Sequence, residues 1–519
     1  MTDIATLADL SRQQAQAHGA ATAMVFGDRA TTFAELDDIA SRCANGLAAA
    51  GVGRQARVGY LGKNSDRFFQ IALGCAKAAQ VITGINFRLA APEIEYIATD
   101  AAIEALFVGE DFFGDAEQLE KQISSLKLIV TVSGDHPRWP SFERWLEAQD
   151  ASEPDTGVRP DDDFEQLYTS GTTGHPKGVQ LTHGGWCQFA DAMQSASWAS
   201  YDTGEVVLGA MPVFHVAGSN TGLLALLQGC KLVVVDDIVP SHLLDTLERH
   251  GINHAFLVPA VIMMLLAVPD VGQRDFSKLR IMSYGAAPIA EAVLEQAQAT
   301  FQCGFVQLYG LTENFGGATF LPPEDHEPAR GKLRSCGKAY ANSEVRIVDG
   351  DGNTLPSGEV GEICLRSGWL MRGYWRNPDA TAEAIRDGWF HTGDAGFLDD
   401  EGYLFIHDRI KDMIISGGEN IYPAEVENAL FAHPDVADVA VIGVPDERWG
   451  EAVKAVVVAA PGSEPDEADL IKWSRSRIAA YKTPRSVDFV AELPRNASGK
   501  VLRRELRKKH WRGRSRNVS

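Results

Sequence analysis

Short apolar runs alternate along this chain with longer stretches in which apolar residues recur every three or four positions. Arg57-Val-Gly-Tyr-Leu61 reads as a buried strand, and Asp66 to Ala79 as the helix that follows it. Leu232-Val-Val-Val235 repeats the pattern with a helix over Ser241 to His250, and Phe256-Leu-Val258 and Ile281-Met-Ser283 add strands. In Thr32-Phe-Ala-Glu35 a hydroxyl and a carboxylate three residues apart predict a capping box, opening a helix to about Ala50. Such alternation predicts parallel sheets covered by helices.

The pattern changes near Asp349. Glu344-Val-Arg-Ile-Val348, Gly361-Glu-Ile-Cys-Leu365 and Gly402-Tyr-Leu-Phe-Ile406 are joined by Gly/Asp/Pro turns, which predicts an antiparallel, barrel-like β subdomain. Asp349-Gly-Asp-Gly-Asn353 starts like a calcium loop. Thr354 and Val360 stand where that loop needs Gly and Glu, so a hairpin turn is expected. After Arg409-Ile-Lys-Asp412 the pattern restarts with a Gly-rich turn, a helix from Pro423, strands over Val439–Ile442 and Val453–Val458, and a helix over Asp466–Ala480. The expected organisation is α/β: a large N-terminal domain over 1–410 and a small C-terminal α/β domain over 411–519, with the boundary placed at Lys411.

Length and composition narrow the class. At 519 residues, 45% hydrophobic and 23% charged, the chain suits a globular protein of more than one domain. No apolar run reaches the length of a membrane span, and Met1-Thr-Asp-Ile-Ala does not begin a signal peptide. The seven cysteines are scattered without a C-x-x-C and read as reduced thiols, which points to the cytoplasm. His250 and His254 are spaced like a helical metal pair, but Gly251 lies between them and no third ligand is near. The net charge of −22 argues against nucleic-acid binding. From Arg495 onward ten Lys/Arg face one acid, Glu505; this reads as a solvated basic end and leaves room for weak peripheral membrane contact.

The densest chemistry lies in Tyr168-Thr-Ser-Gly-Thr-Thr-Gly-His-Pro-Lys-Gly178, between a strand ending at Tyr168 and another starting at Val179. Glycines let backbone N–H groups approach a ligand, and Thr169, Ser170, Thr172, Thr173 and Lys177 add donors and charge. Such a loop suits a polyphosphate. It is not a Walker loop, because Gly178 follows the lysine where Ser or Thr would stand.

This stretch resembles the signature of the adenylate-forming superfamily, and later segments match in the expected order. These are Met211-Pro-Val-Phe-His-Val-Ala-Gly218, Ser283-Tyr-Gly-Ala-Ala-Pro288, Gln307-Leu-Tyr-Gly-Leu-Thr-Glu313, Trp389-Phe-His-Thr-Gly-Asp394, Asp408-Arg-Ile-Lys-Asp412, Ser416-Gly-Gly-Glu-Asn420 and Pro494-Arg-Asn-Ala-Ser-Gly-Lys500. The wording is similar to bacterial long-chain fatty acyl-CoA ligases, with aryl-propenoate CoA ligases as near relatives. The resemblance implies an ATP-dependent carboxylate–CoA ligase that acts through an acyl adenylate and releases AMP and pyrophosphate.

Site roles follow from the resemblance alone. Thr169, Ser170, Gly171, Thr172, Thr173, Gly174 and Lys177 would hold the ATP phosphates, and Thr172 and Glu313 would hold Mg²⁺. Thr312 would donate to the α-phosphate. Tyr309 would stack on adenine beside Gly285, Ala286 and Gln307, while Asp394 and Arg409 would hold the ribose. His215, Val216, Gly218, Gly285, Gly310, Gly316 and Gly317 would line the acyl pocket, with His215 as its gate. Gly417 and Gly418 would face the CoA tunnel, Lys411 would be the hinge of a mobile C-terminal domain, and Lys500 would bridge carboxylate and α-phosphate. Small residues after His215 and Glu313 leave room, and no acid or base stands out to meet a polar substituent. An apolar acid is expected, a medium- or long-chain fatty acid first and an aryl-propenoate as the alternative. A carrier protein could replace CoA as acceptor. A monomer or homodimer is expected.

Overall fold

A computed structural model describes residues 4–169, 176–409, 412–416, 419–495 and 501–511; for Ser197, Asp408, Arg409 and Asn420 it describes the backbone alone. Thr32 caps the helix Phe33–Ala49 as its sequence predicts. Its hydroxyl accepts from the Glu35 N–H, and the Glu35 carboxylate accepts from the Thr32 N–H at 2.8 Å. The helix Asp66–Lys77 is buried at every position. Gly74 meets Cys43 of the capped helix, and Phe69 fills the space beside Gly222 of the helix Val216–Leu227. Three helices are thereby locked together through small residues.

Two helix-covered sheets carry most of the chain. The seven-stranded sheet runs Gly373–Tyr374, Lys177–Thr182, Asp163–Thr169, Val81–Ile85, Arg57–Leu61, Ala105–Val108, Leu128–Thr131, parallel from Asp163–Thr169 onward. The nine-stranded sheet has a parallel centre of Gly304–Tyr309, Ile281–Gly285, His254–Leu257, Val206–Gly209 and Lys231–Val234. Parallel strands buried on both faces read as continuous apolar runs, which is why they were legible.

The predicted change of style is also present. Ser343–Val348, Gly361–Ser367, Trp389–Leu398 and Leu404–Arg409 pair antiparallel. Asp349 closes the expected hairpin turn, its carboxylate accepting from the N–H groups of Asp351 and Asn353. In the C-terminal region, Val436–Asp446 and Gly450–Ala459 form a long antiparallel ribbon carrying the helices Pro423–Phe431 and Glu467–Arg475. The second of these helices ends five residues before the predicted Ala480. Ser474 and Ser476 turn their hydroxyls back onto the carbonyls of Ile471 and Trp473, the local competition that disfavours serine inside helices.

The basic end folds onto acids of its own region. Arg495 pairs with Asp438, Arg503 with Glu427, Arg507 with Asp412, and Lys509 with Asp488. Among the described residues, these cations are thus compensated by acids.

One core group is unusual. Glu165, in Asp163–Thr169, is wholly buried; one carboxyl oxygen is 3.3 Å from the donating Ser219 hydroxyl, and the other lacks a partner among the described residues. Burial pushes its pKa up to about 8. Folding therefore holds a proton that the unfolded chain releases above its ordinary value near 4.5. Stability is fully retained below that value and is lost as pH rises towards 8, by about 1.4 kcal/mol per pH unit. Glu165→Gln, neutral in both states, should unfold like wild type at pH 5 and be more stable by roughly 2–4 kcal/mol at pH 8. Urea unfolding at the two pH values checks this; a difference independent of pH would mean that Glu165 is charged in the fold.

Candidate functional site

The phosphate-loop candidate is anchored by a hairpin. Thr169 and Lys177 are partners across the ladder between Asp163–Thr169 and Lys177–Thr182, so the loop leaves and returns at one rung. Ser170, Gly171, Thr172, Thr173 and Gly174 lie outside the described residues, as do Lys411, Gly417, Gly418 and Lys500.

The other edge of Lys177–Thr182 takes Gly373–Tyr374, and the Trp375 N–H donates to the Gly178 carbonyl at 2.7 Å. Tyr374 is thereby set beside the start of that strand, opposite Val179. The Lys177 ammonium lies 4.8 Å from its ring centre, and its hydroxyl donates to the Glu313 carboxylate at 2.8 Å. Glu313 and Thr312 share the 3₁₀ turn Thr312–Asn314, whose position is fixed by the Met371 N–H donating to the Glu313 carbonyl. Lys177, Tyr374 and Glu313 are therefore coupled. Glu313 is buried, and its carboxylate is a hard oxygen donor of the kind Mg²⁺ takes. Sequence reasoning missed Tyr374. Its only signal was an aromatic pair, Tyr374-Trp375, flanked by Arg372 and Arg376, which has no period to reveal it.

The second cluster lies at the carboxyl ends of adjacent parallel strands. Gly285 and Leu308 are in register, and a side chain at Gly285 would strike the Leu308 carbonyl. Ala286, at φ +65°, then turns away beside Tyr309. Gln307 donates weakly to the Cys336 sulfur. The Tyr309 hydroxyl donates to Asp394 at 2.7 Å, and both side chains are buried. Asp394 faces Arg409 across the ladder from Trp389–Leu398 to Leu404–Arg409. Residues expected against one nucleoside are thus brought together from three distant segments.

Asp394 is held by a braced turn. Gly393 sits at φ +69°, its N–H donates to one Glu362 oxygen at 3.1 Å, and His391 Nδ1 lies 2.8 Å from the other. Thr392 accepts from the Asp394 N–H and donates to the Ile363 carbonyl. Glu362 was not singled out from the sequence, because a lone acid on a strand looks like any solvent-facing residue. Glu362, Cys364 and His391 bring their ligating atoms within 4.8 Å of one another. Both Glu362 oxygens are already engaged by Gly393 and His391, so the group reads as a brace.

An apolar cavity of about 110 Å³ opens beside these strand ends. Val216, Ala286, Gly310 and Gly316 line it, with aromatic walls from Phe189, Phe256 and Phe315. His215, Gly218, Gly285 and Gly317 lie outside that wall. The smallness of these glycines serves close packing rather than open space. Gly218 backs onto the Met211 and Pro212 carbonyls, and a side chain at Gly317 would come within 2.5 Å of the Phe189 ring. His215 precedes the helix Val216–Leu227, and burial together with the Arg88 charge brings its pKa down to about 4. It is neutral at neutral pH.

The sequence promised a wall without polar partners, and the structure differs. Trp198, Tyr201, His254 and Tyr340 also line the cavity. Trp198 Nε1, His254 Nδ1 and the Tyr340 hydroxyl are buried without hydrogen-bond partners among the described residues. Groups left so in a dry site cost about 1–3 kcal/mol each. They come from segments far apart in the chain, so no spacing could show them together.

Known proteins agree with this architecture. Residues 11–375 match the AMP-binding enzyme family, and residues 425–500 match the AMP-binding enzyme C-terminal domain. The chain is 41% identical to the fatty acid–[acyl-carrier-protein] ligase ScoC of Streptomyces coeruleorubidus, over 99% of this chain and 98% of that one. It is 40% identical to a feruloyl-CoA synthase of an Amycolatopsis species, over 94% and 96% of the two chains. A solved Mycobacterium tuberculosis fatty acyl CoA synthetase superposes with a TM-score of 0.76 at 34% identity, covering 97% and 98%. The chain belongs to the AMP-binding enzyme family, the adenylate-forming ligases that its motifs resemble.

Proposed function

We propose that the protein joins an acid with an apolar acyl group to the thiol of CoA, through an acyl adenylate, with release of AMP and pyrophosphate. The observation that carries this is the Tyr309–Asp394 pair and the Lys177–Tyr374–Glu313 chain, close along the backbone to Gly310 and Phe315 in the wall of one apolar cavity. A carboxylate attacking the α-phosphate brings two anions together, so the site must neutralise charge and fix an in-line approach. Lys177 and the loop from Thr169 would hold the phosphates, Thr312 would donate to the α-phosphate, and Asp394 with Arg409 would hold the ribose. Mg²⁺, when bound by Glu313 and Thr172, would supply further positive charge to the phosphates. Neutral His215 would gate the acid without adding a cation.

The small domain 411–519 would rotate against 1–410 between the two half-reactions, presenting a different segment in each. Lys500 serves adenylation, and the Gly417–Gly418 turn then admits the thiol. The enzyme would act on small molecules in the cytoplasm, as a monomer or homodimer. Among the described residues no helix is long and apolar enough to cross a membrane.

Fatty acids are the first class to test. The aromatic, compact cavity favours aryl-propenoates as a second reading. The 41% identity to a carrier-protein ligase favours a second acceptor, a free phosphopantetheinyl carrier protein. Incubation with ATP, Mg²⁺, an acid panel and either CoA or a carrier protein should yield the thioester with AMP and pyrophosphate. Formation of ADP and phosphate would overturn the adenylate mechanism, and thioester on the carrier alone would replace CoA as acceptor.

A further inference from the structure

We infer that the acid carries a hydroxyl group at the end remote from its carboxyl, recognised by Trp198, His254 and Tyr340. This rests on the proposed reading of the cavity as the acyl site. The wall of that cavity has two ends. Ala286 and Gly310 lie at the carboxyl ends of their strands, next to Tyr309 and the Thr312–Asn314 turn. His254 begins its own strand and is in register with Ile281, five residues before Ala286. At about 3.3 Å per residue this separates the ends by roughly 16 Å along the strands. His254 therefore belongs to the end far from the nucleotide.

The chemistry of that end is specific. Glu205 takes an ion pair from Arg280, and one of its oxygens accepts from the Asp202 N–H and lies 2.8 Å from His254 Nε2. A carboxylate is only an acceptor, so Nε2 carries the imidazole proton. The Tyr201 ring, 3.9 Å from the imidazole, holds it in place. Burial lowers the His254 pKa, so the ring is neutral and Nδ1 is a bare acceptor. Trp198 Nε1 is an obligate donor, and the Tyr340 hydroxyl can also donate. All three side chains are more than nine-tenths buried, and the three atoms lack partners among the described residues. A ketone would leave His254 Nδ1 unanswered, and an ammonium would leave Trp198 Nε1 unanswered. A hydroxyl answers both, giving its proton to Nδ1 and accepting from Trp198 or Tyr340.

The same hydroxyl could sit on a ring or on a chain, and matched pairs separate the two. Full-length enzyme is assayed with 4-hydroxycinnamate against cinnamate and with 10-hydroxydecanoate against decanoate. Acid-dependent ATP–pyrophosphate exchange gives kcat/KM for each. In one pair the hydroxylated acid should be preferred by about 10²-fold or more, because a site built to bond a hydroxyl leaves its own groups unpaired when the hydroxyl is missing. Tyr340→Phe and, separately, Trp198→Phe should each narrow that preference at least tenfold. A structural defect would lower both acids together and leave the ratio standing, which would count against the assignment. Equal or reversed preference in both pairs overturns the inference while leaving the ligase reading intact. Absence of exchange with every acid would overturn the ligase reading, and the inference with it.

Discussion

Replacing Lys500 by alanine is expected to slow acyl-adenylate formation by about 10²–10³-fold, the size of one lost electrostatic contact at a site of developing charge. Lys500 lies outside the described residues, and the expectation rests on its place in the Pro494–Lys500 motif. A lone cation that touches both the attacking carboxylate and the α-phosphate acts only while the bond to phosphorus forms. Once the adenylate exists, the thiol attacks a carbonyl, and in the proposed cycle the Gly417–Gly418 turn would be needed instead. Lys500→Ala should therefore convert a prepared acyl adenylate to the thioester at nearly the wild-type rate. Lys411→Pro should show the reverse, because proline fixes φ at the hinge: adenylate accumulates and transfer fails. Stopped assays of the two half-reactions on folded protein decide the matter. Equal loss of both in both variants would mean that the domains do not alternate and that Lys500 is structural.

Asp394→Ala should weaken ATP binding by about 10²-fold or more. Hydrogen bonds to a charged group are worth about 1.5–3 kcal/mol each, and in the proposed role Asp394 would accept from both ribose hydroxyls. The variant also leaves the buried Tyr309 hydroxyl without its 2.7 Å acceptor, so the proposed adenine platform would lose its anchor. Glu362→Gln tests the brace separately. Its amide oxygen can still accept from the Gly393 N–H or from His391, but the carboxylate that spans both is gone. ATP affinity should fall by about tenfold, less than for Asp394→Ala, because Glu362 acts through the turn and does not meet the nucleotide. Titration calorimetry with a non-hydrolysable ATP analogue reads both. Unchanged affinity in Asp394→Ala would remove Asp394 from the ribose site.

Periodicity carried far in this chain, and its failures have particular causes. The helix Phe33–Ala49 and the strand Arg57–Leu61 were legible because cap chemistry and burial on both strand faces are local properties. Gly218 and Gly317 were legible as small but misread as spacious, whereas Gly316 does line the cavity. Whether a missing side chain leaves a hole or admits a neighbour depends on what packs there, and the Pro212 carbonyl and the Phe189 ring fill those places.

The sequence by itself determined the α/β class, the order of the motifs and the residue types that adenylate chemistry needs, because each is written in a continuous segment. Tertiary structure alone decided which of them meet. It joined Tyr309 to Asp394 and Lys177 to Glu313 through Tyr374, and set Glu362 behind Gly393. It also gathered Trp198, His254 and Tyr340 around one cavity. A hydrogen bond requires its partners within about 3 Å, whereas chain spacing fixes such distances only over a turn or a ladder rung. Partners drawn from different sheets become neighbours only when the sheets pack.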